Sequence, residues 1–411
     1  MFQEELVMRK YLYALFCAFL AAGSLSAQQT AQQTVQQTSG PYTITYPADF
    51  VGIEEFGTAC NTLRLAFTEV FHFNPDTAER TYRIRVLPDK ASFDAYVISR
   101  IGETRKQHVF LRYNKPELSE LVVYPEPGAS GFRAFSGPSL NRQLFLQYLY
   151  SYVAEPPVWI RDGFQAYFEN LQVDVTAGTA SHSLWSPWLE SAKKTGLSSD
   201  LRIGSSDLLS VSTLMQDTAR YYPQAWAFVS FLLNTEHPEY QRFFHEACML
   251  LEGAGAYNSE SQQENTDRIR NRFARFIDFE YADADFALWL SAQKTFNELV
   301  QAGVSAYNAG AIPDGKRYLH DALAQKPDDP LVLYYLGLCA YDEKNYSEAA
   351  ELYATCLENG GEPATVNWAL GLSVYADKKF KEARVYLQKA AAASPEKYSE
   401  KAAQLISSMP K

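Results

Sequence analysis

The side chains that most often do chemistry in proteins are sparse in this sequence. A zinc-binding helix needs two histidines four residues apart, because residues i and i+4 share a helical face. His245-Glu246 supplies the first two residues of such a pattern, but Met249 stands at the fifth position. Glu155 and Glu169 could form a carboxylate pair for hydrolysis, but nothing in the sequence fixes their separation. Solvated surface charge is therefore the expected role of both glutamates.

Residues 157–169 read PVWIRDGFQAYFE. This segment resembles the P-x-W-L-x-E-G-x-A-x-Y-x-E segment of gluzincin-type metallopeptidases, the peptidase MA-like family. Three positions depart from it, because Ile160 replaces Leu, Asp162 replaces Glu and Gln165 replaces Ala. In that family the Glu before Gly is the third zinc ligand, so the resemblance assigns this position to Asp162.

The same resemblance locates the family's HExxH helix at residues 143–147 when Asp162-Gly163 is aligned with the family's E-G. Gln143 and Gln147 then replace both histidine ligands, and Leu144 replaces the general base. A neutral carboxamide is a poorer zinc ligand than imidazole, and leucine cannot accept a proton. Moving the alignment back by one residue restores neither the histidine ligands nor the general base. We therefore expect these four positions to be vestigial, with no catalytic residue, metal or cofactor.

Hydrophobic periodicity predicts the elements that position these residues. The predicted strands are 42–46, 81–87 and 121–124, and a helix is predicted over 57–73. Helical spacing dominates from about 140 to 295, with loops at 176–183 and 253–260. Strands followed by helices predict an α+β domain. The resemblance, which extends to residues 83–93 and 221–232, implies a mainly helical zincin-like domain over residues 42–295.

The C-terminal third contains a repeat with a period of 34 residues. The sets with this spacing are Gly303, Gly337 and Gly371; Tyr307, Tyr341 and Tyr375; Tyr346 and Phe380; Ala349 and Ala383. The pattern resembles the tetratricopeptide repeat (TPR), in which Gly and Ala let two helices pack closely. We predict an all-α TPR solenoid over residues 296–411, with three repeats and a terminal helix.

Aromatic residues recur on the first helix of each predicted pair, which lines a groove in TPR arrays. The candidates for peptide binding are Tyr307, Tyr334, Tyr341, Trp368 and Tyr375. Tyrosine and tryptophan dominate interface hot spots, because they combine a large apolar area with a polar tip. Packing between repeats is the competing interpretation of these residues.

The N-terminus reads as a signal peptide over residues 1–27, followed by a disordered Gln/Thr linker over 28–41. Arg9-Lys10 precedes a short apolar run, and small residues follow at 24–27. The run is shorter than the roughly 20 residues that span a bilayer. We expect a periplasmic or secreted protein with no membrane span after cleavage, and a lipoprotein anchored at Cys17 is the less favoured alternative.

The remaining cysteines are predicted to be buried apolar residues, because they form no CxxC pair. They are Cys60, Cys248, Cys339 and Cys356. The formal net charge of −11 argues against nucleic acid as a partner.

The sequence thus predicts a non-catalytic scaffold of the bacterial envelope with a pseudo-metallopeptidase domain. Its partner would be a protein or peptide that binds in the TPR groove. Two alternatives stay open, an active hydrolase with a rearranged site around Asp162 and a plain TPR adaptor unrelated to peptidases.

Overall fold

A computed structural model describes most of the chain. The described residues are 33–75, 82–129, 131–135, 137–182, 187–211, 217–252 and 259–410, with the side chains of 259–261 excepted. They form two compact units. The first contains the residues up to Glu155 with 173–180 and 251–261, and the second contains 156–172, 181–250 and 262 onward. The predicted signal peptide lies outside the described residues, and the predicted domain boundary at 295/296 stays a prediction.

The first unit is built on a five-stranded mixed sheet. In spatial order its strands are β1 (Thr34–Ser39), β2 (Tyr42–Pro47), β3 (Tyr82–Val86), β5 (Glu120–Val123) and β4 (Val109–Leu111). The three central strands are parallel, and each edge strand runs antiparallel to its neighbour. The three strands predicted from the sequence are these central ones, which are buried and therefore carry a readable hydrophobic pattern.

Strand β1 corrects the later part of the disordered linker predicted over residues 28–41, of which 28–32 lie outside the described residues. Thr34 to Ser39 pair along their whole length with β2, and Gly40 makes the turn at φ 55°. No β1 side chain is fully buried. Backbone hydrogen bonds to an adjacent strand therefore hold β1 in place, and hydrophobic patterning cannot reveal such a strand.

Three helices complete the ordered core of the first unit. They are α1 (Ile53–Phe71), α2 (Lys90–Ile101) and α3 (Pro138–Tyr152). Buried aromatic rings join α1 to α3, because Phe67 lies 5.6 Å from Phe145 and Phe71 lies 6.2 Å from Tyr148, between ring centroids. Helix α1 covers most of the helix predicted over 57–73.

The elements between α3 and the repeats lie mostly in the second unit. The helices among them are α4 (Val158–Phe168), α5 (Trp188–Gly196), α6 (Ser205–Ser210), α7 (Thr218–Asn234), α8 (Pro238–Leu251), α9 (Ser259–Phe273) and α10 (Phe279–Ala292). The helical character predicted for this region is confirmed. The predicted loop at 176–183 is corrected, because β7 (Thr179–His182) pairs there with β6 (Leu171–Asp174).

The repeats follow as paired helices. The pairs are α11 (Phe296–Asn308) with α12 (Ile312–Gln325), α13 (Pro330–Asp342) with α14 (Tyr346–Glu358), and α15 (Pro363–Ala376) with α16 (Phe380–Ala393); α17 (Pro395–Ser407) is the terminal helix. Each repeat glycine lies against a side chain of the second helix of its own pair. A Cβ atom added at Gly337 would lie only 2.5 Å from Tyr353 Cε1. The predicted role of these glycines, close helix approach, is therefore confirmed.

The four cysteines expected to be buried are buried and unpaired. Burial raises the pKa of all four thiols, to about 11 for Cys339 and Cys356. Among the described residues, no helix is both long enough and apolar enough to cross a bilayer.

Candidate functional site

The residues aligned with the HExxH window attach α3 to the sheet of the first unit. Gln143 Oε1 accepts a hydrogen bond from the Phe110 N–H of edge strand β4 at 2.8 Å. One turn later, Gln147 Nε2 donates to the Arg83 carbonyl of β3, also at 2.8 Å. Leu144 is fully buried. The two amides thus bind backbone groups, for which a donor and an acceptor on one side chain are well suited.

Asp162 lies on α4 in the second unit and is only 2% exposed. Both of its oxygens accept from the neighbouring Arg161, at 2.6 Å from Nε and 3.1 Å from a terminal nitrogen. Burial raises the pKa of Asp162, while Arg161 acts in the opposite direction. The nearby Tyr221 hydroxyl has its own pKa raised by burial and then by the Asp162 charge. Asp162 is therefore a buried, ion-paired carboxylate.

Gly163 explains why the segment around Asp162 needs a residue without a side chain. A Cβ atom at this position would lie 2.7 Å from Val229 Cγ2 and 2.8 Å from the Ala225 carbonyl oxygen, both on α7. Trp159, on the same helix, is fully buried against Phe228 of α7. Much of the segment that resembles the peptidase family therefore forms a tight helix–helix contact.

Glu155 and Glu169 are not solvated surface charges, which corrects that expectation. In the first unit, Glu155 pairs with Arg112 at 2.7 Å. In the second unit, Glu169 is buried and accepts from the indole N–H of Trp188 at 2.6 Å. Within the part of the chain that the structure describes, no group of three or more His, Cys, Asp and Glu side chains could hold a metal ion.

Two of the aromatic candidates in the repeats pack within their own repeat. Tyr341 contacts Tyr346 with ring centroids 5.3 Å apart, and Tyr375 contacts Phe380 at 5.6 Å. Both contacts are edge-on and lie 34 residues apart. They fix the end of the first helix to the start of the second within one repeat, whereas the competing interpretation expected packing between repeats.

Tyr307 bridges the first two repeats. Its ring lies edge-on to Tyr335 at 5.7 Å. Burial, and then the Asp342 carboxylate, raises the pKa of its hydroxyl to about 12. The Tyr307 ring thus packs on the next repeat and helps to hold the two together.

Tyr334 and Trp368 occupy one repeat position and remain partly exposed. The Tyr334 ring packs on Tyr353 at 5.6 Å, and Trp368 stacks on Tyr398 of the terminal helix at 5.1 Å. Lys397 Nζ lies 4.9 Å from the centre of the Tyr398 ring. We call Tyr334, Trp368, Lys397 and Tyr398 the aromatic patch.

The sequence analysis did not select Lys397 and Tyr398, because they lie beyond the first helices of the three predicted pairs. A signal was present, since Tyr398 lies 34 residues after Ala364 and so continues the repeat count. In the structure, the Tyr398 hydroxyl lies 3.3 Å from Thr365 Oγ1 on α15. The terminal helix therefore contributes to the same surface as the repeats.

Comparison with known proteins identifies the repeats. A family model described as tetratricopeptide repeat matches residues 300–361 and 345–397. No curated protein matches the chain. The C-terminal third consists of TPR repeats, as predicted, whereas the family match covers no part of residues 42–295 and leaves the zincin-like prediction unsupported.

Several solved structures are similar to part of the chain. The TPR domain of Arabidopsis OM64 is 12% identical, covering 27% of this chain and 93% of that one, with a TM-score of 0.26. The second TPR domain of human RPAP3, solved with an HSP70 peptide, is 13% identical, covering 28% and 99%, with a TM-score of 0.26. MamA from Desulfovibrio magneticus RS-1 is 17% identical, covering 43% and 85%, with a TM-score of 0.27.

Proposed function

We propose that this chain is an exported, non-catalytic adaptor whose repeats bind a peptide segment of a partner protein through the aromatic patch. The observation that carries the proposal is the pair Tyr334 and Trp368. These partly exposed rings lie one repeat apart, and each is held by another ring. A ring fixed before binding loses little conformational entropy when a partner covers it.

The chemistry of the patch indicates the kind of peptide. Two aromatic side chains one repeat apart suit a segment with two apolar anchors. The ammonium group of Lys397 beside the rings favours an acidic residue between or next to these anchors. The other three predicted residues, Tyr307, Tyr341 and Tyr375, have a structural role instead, because their rings make contacts that hold the repeats in place.

The proposed lack of catalysis rests on the donor atoms at the aligned positions. Gln143 and Gln147 use their amides on sheet backbone, and Leu144 is buried and has no basic atom. Asp162 is neutralised by Arg161. The proposed pseudo-metallopeptidase is therefore a structural support, and the binding proposal does not depend on its ancestry.

Zinc analysis tests the non-catalytic proposal. The purified full chain should hold well under one zinc per molecule, and Asp162→Ala should not change that content. Asp94→Ala, which alters a partly exposed carboxylate paired with Lys90, is the matched control. One zinc per chain that is lost in Asp162→Ala alone would instead support the rival hydrolase.

Export is proposed from the sequence of residues 1–27 alone. The protein recovered from the envelope of its host should begin at Gln28 when its N-terminus is sequenced. A chain that retains residues 1–27, or one that is recovered with the cytoplasm, would contradict export without affecting the binding proposal.

Binding is tested by recovering partners from an envelope extract with the full chain as bait. Trp368→Ala and Tyr334→Ala should each remove the specific partner, since hot-spot truncation costs about 2 kcal/mol or more. Tyr341→Phe, which keeps the ring contact with Tyr346, should leave recovery unchanged. An unchanged partner set in both alanine variants, with melting temperatures showing that they are folded, would overturn the proposal.

A further inference from the structure

Helices α16 and α17 form the walls of an open groove. It has a volume of about 590 Å³, and its apolar wall includes Ala391 of α16 with Ala402, Ile406 and Met409 from α17 and its end. Arg384, which donates to the Met409 and Pro410 carbonyls, lines this groove and also a second concavity of about 570 Å³. The other charged residues of that concavity are Lys378, Lys379, Lys381 and the single acidic Glu382. We call the two together the end groove. It is an apolar trough with a basic rim.

The rim stands out against the charge of the repeats. Residues 377–410 contain seven basic and four acidic residues, whereas residues 296–376 contain four basic and eleven acidic ones. Part of the positive charge is already used, because Lys379 pairs with Asp377 at 2.7 Å. Lys378 and Lys381 remain exposed. In a chain with a formal net charge of −11, the end groove is thus a local site for an acidic partner.

Helix α10 presents the complementary surface. Tyr281 and Leu288 are 75% and 71% exposed, and the exposed Ala284 lies between them on the same helical face. This i, i+3, i+7 spacing is the anchor pattern of a helix that binds in a groove. From Asp278 through Ala292 the charged residues are all acidic, namely Asp278, Glu280, Asp283 and Asp285.

We propose that the end groove of one copy of this chain binds α10 of a second copy. Tyr281, Ala284 and Leu288 would cover the apolar wall, and Glu280 would face the lysines of the rim. Charge complementarity fixes the choice of occupant, since the acidic apolar helix and the basic apolar groove belong to the same chain. Each copy carries both surfaces at different places, so the contact is head-to-tail and leaves a free surface at each end for further copies.

Sedimentation of the full chain tests self-association. At low ionic strength the weight-average mass should rise with concentration above the 46.4 kDa of one chain. The rise should weaken near 1 M salt, where the screening length falls to about 3 Å. A mass of one chain at all concentrations at low ionic strength would overturn the proposal.

Substitutions identify the two surfaces. Leu288→Glu and Lys381→Glu should each weaken association by about tenfold or more, and Glu280→Lys combined with Lys381→Glu should restore part of the loss. Leu65→Glu, at a leucine that is 44% exposed on α1, is the matched control and should have no effect. Association that Leu288→Glu leaves unchanged would place the interface elsewhere and contradict the proposal.

Mixing separates a head-to-tail contact from a symmetric one. A Leu288→Glu copy retains its end groove, and a Lys381→Glu copy retains its α10. An equimolar mixture should therefore form species of two chains and no longer assemblies. A mixture that shows no gain over either variant alone counts against the pairing, as does saturation of the groove by an acidic helix from a different protein.

Discussion

Gly163 on α4 and Gly337 on α13 belong to regions that the sequence presents very differently, yet they do the same physical work. Each lets a neighbouring helix approach more closely than a Cβ atom would allow. At Gly337 the obstacle is the Tyr353 ring, at 2.5 Å, and at Gly163 it includes the Ala225 backbone carbonyl, at 2.8 Å. In the repeats this glycine is recognised as a packing residue, whereas in α4 it first looks like part of a metal-site motif. A segment that looks like part of a metal site can thus be explained by packing alone.

The two regions differ in what can move. The Tyr353 ring can shift by rotating its side chain, but the Ala225 carbonyl belongs to the hydrogen-bonded backbone of α7. Helix α4 also carries the ion pair Arg161–Asp162, whose carboxylate is buried beside the glycine. The repeats place most of their charges outside. The α4–α7 contact is therefore expected to lose more stability than the α13–α14 contact when a side chain is added at its glycine.

The largest expected effect is that of adding one methyl group to each glycine. Gly163→Ala should lower the free energy of unfolding by about 3 kcal/mol, at the upper end of typical overpacking costs. Gly337→Ala should lower it by about 1 kcal/mol, because ring rotation and the better helix propensity of alanine offset part of the clash. Thermal unfolding measures both.

Gln165→Ala is the control for Gly163→Ala, because it changes a half-buried side chain on the same helix and should shift stability by no more than about 0.5 kcal/mol. A larger loss for Gly337→Ala than for Gly163→Ala would reverse the comparison.

Substitutions at the repeat position with left-handed backbone conformation should give the next largest change in stability. Gly310, Lys344 and Lys378 occupy one repeat position and all have positive φ, at 77°, 65° and 61°. Glycine adopts this conformation without the Cβ strain that lysine suffers. Lys344→Gly and Lys378→Gly should each stabilise the chain by about 1 kcal/mol, as measured by thermal unfolding, and Gly310→Ala should destabilise it by a similar amount. Unequal effects at the two lysines would show that the repeats are not equivalent there.

Asp162→Asn tests the buried charge through its pH dependence. Burial raises the pKa of Asp162 in the folded chain above the value of about 3.9 expected when unfolded. The folded state then holds the proton to higher pH, so this group's contribution to stability is lost as pH rises from below 4 through the raised pKa. The melting temperature of Asp162→Asn relative to the original chain should therefore increase across this range.

For Asp94→Asn we expect the opposite pH dependence of stability. The hydrogen bond from Lys90 lowers the pKa of Asp94, so ionised Asp94 favours folding above its unfolded pKa and this contribution is lost as pH falls. Its relative melting temperature should decrease as pH rises. The same trend in both variants would contradict the assigned pKa directions.

The smallest effect concerns cysteine accessibility. In a repeat array each repeat contacts mainly its neighbours, so helices can open locally without global unfolding. Cys339 and Cys356 should react with a thiol reagent somewhat faster than Cys60 and Cys248, although all four are buried. Mass spectrometry after timed labelling of the native chain measures this order. Equal rates would indicate that the repeats open only with the rest of the chain.

The sequence predicted much of the fold wherever burial leaves a regular pattern. The central strands β2, β3 and β5, helix α1 and the repeats were all visible as periodic apolar residues. Edge strands β1 and β4 were missed, because a strand held by backbone pairing on one side shows no such pattern. The candidate site was less predictable. A residue list could not distinguish Tyr341, packed on Tyr346, from Trp368, held by the terminal helix.

By itself, the sequence determined the repeat architecture and the lack of histidine ligands and a general base in the HExxH-like window, because spacing and residue type are properties of the chain. The tertiary structure alone decided what the individual side chains do. It placed Gln143 and Gln147 on sheet backbone, neutralised Asp162 with Arg161 and brought Tyr398 onto Trp368. These roles depend on which groups meet across elements distant in the chain or on how deeply they are buried, and spacing along the chain encodes neither.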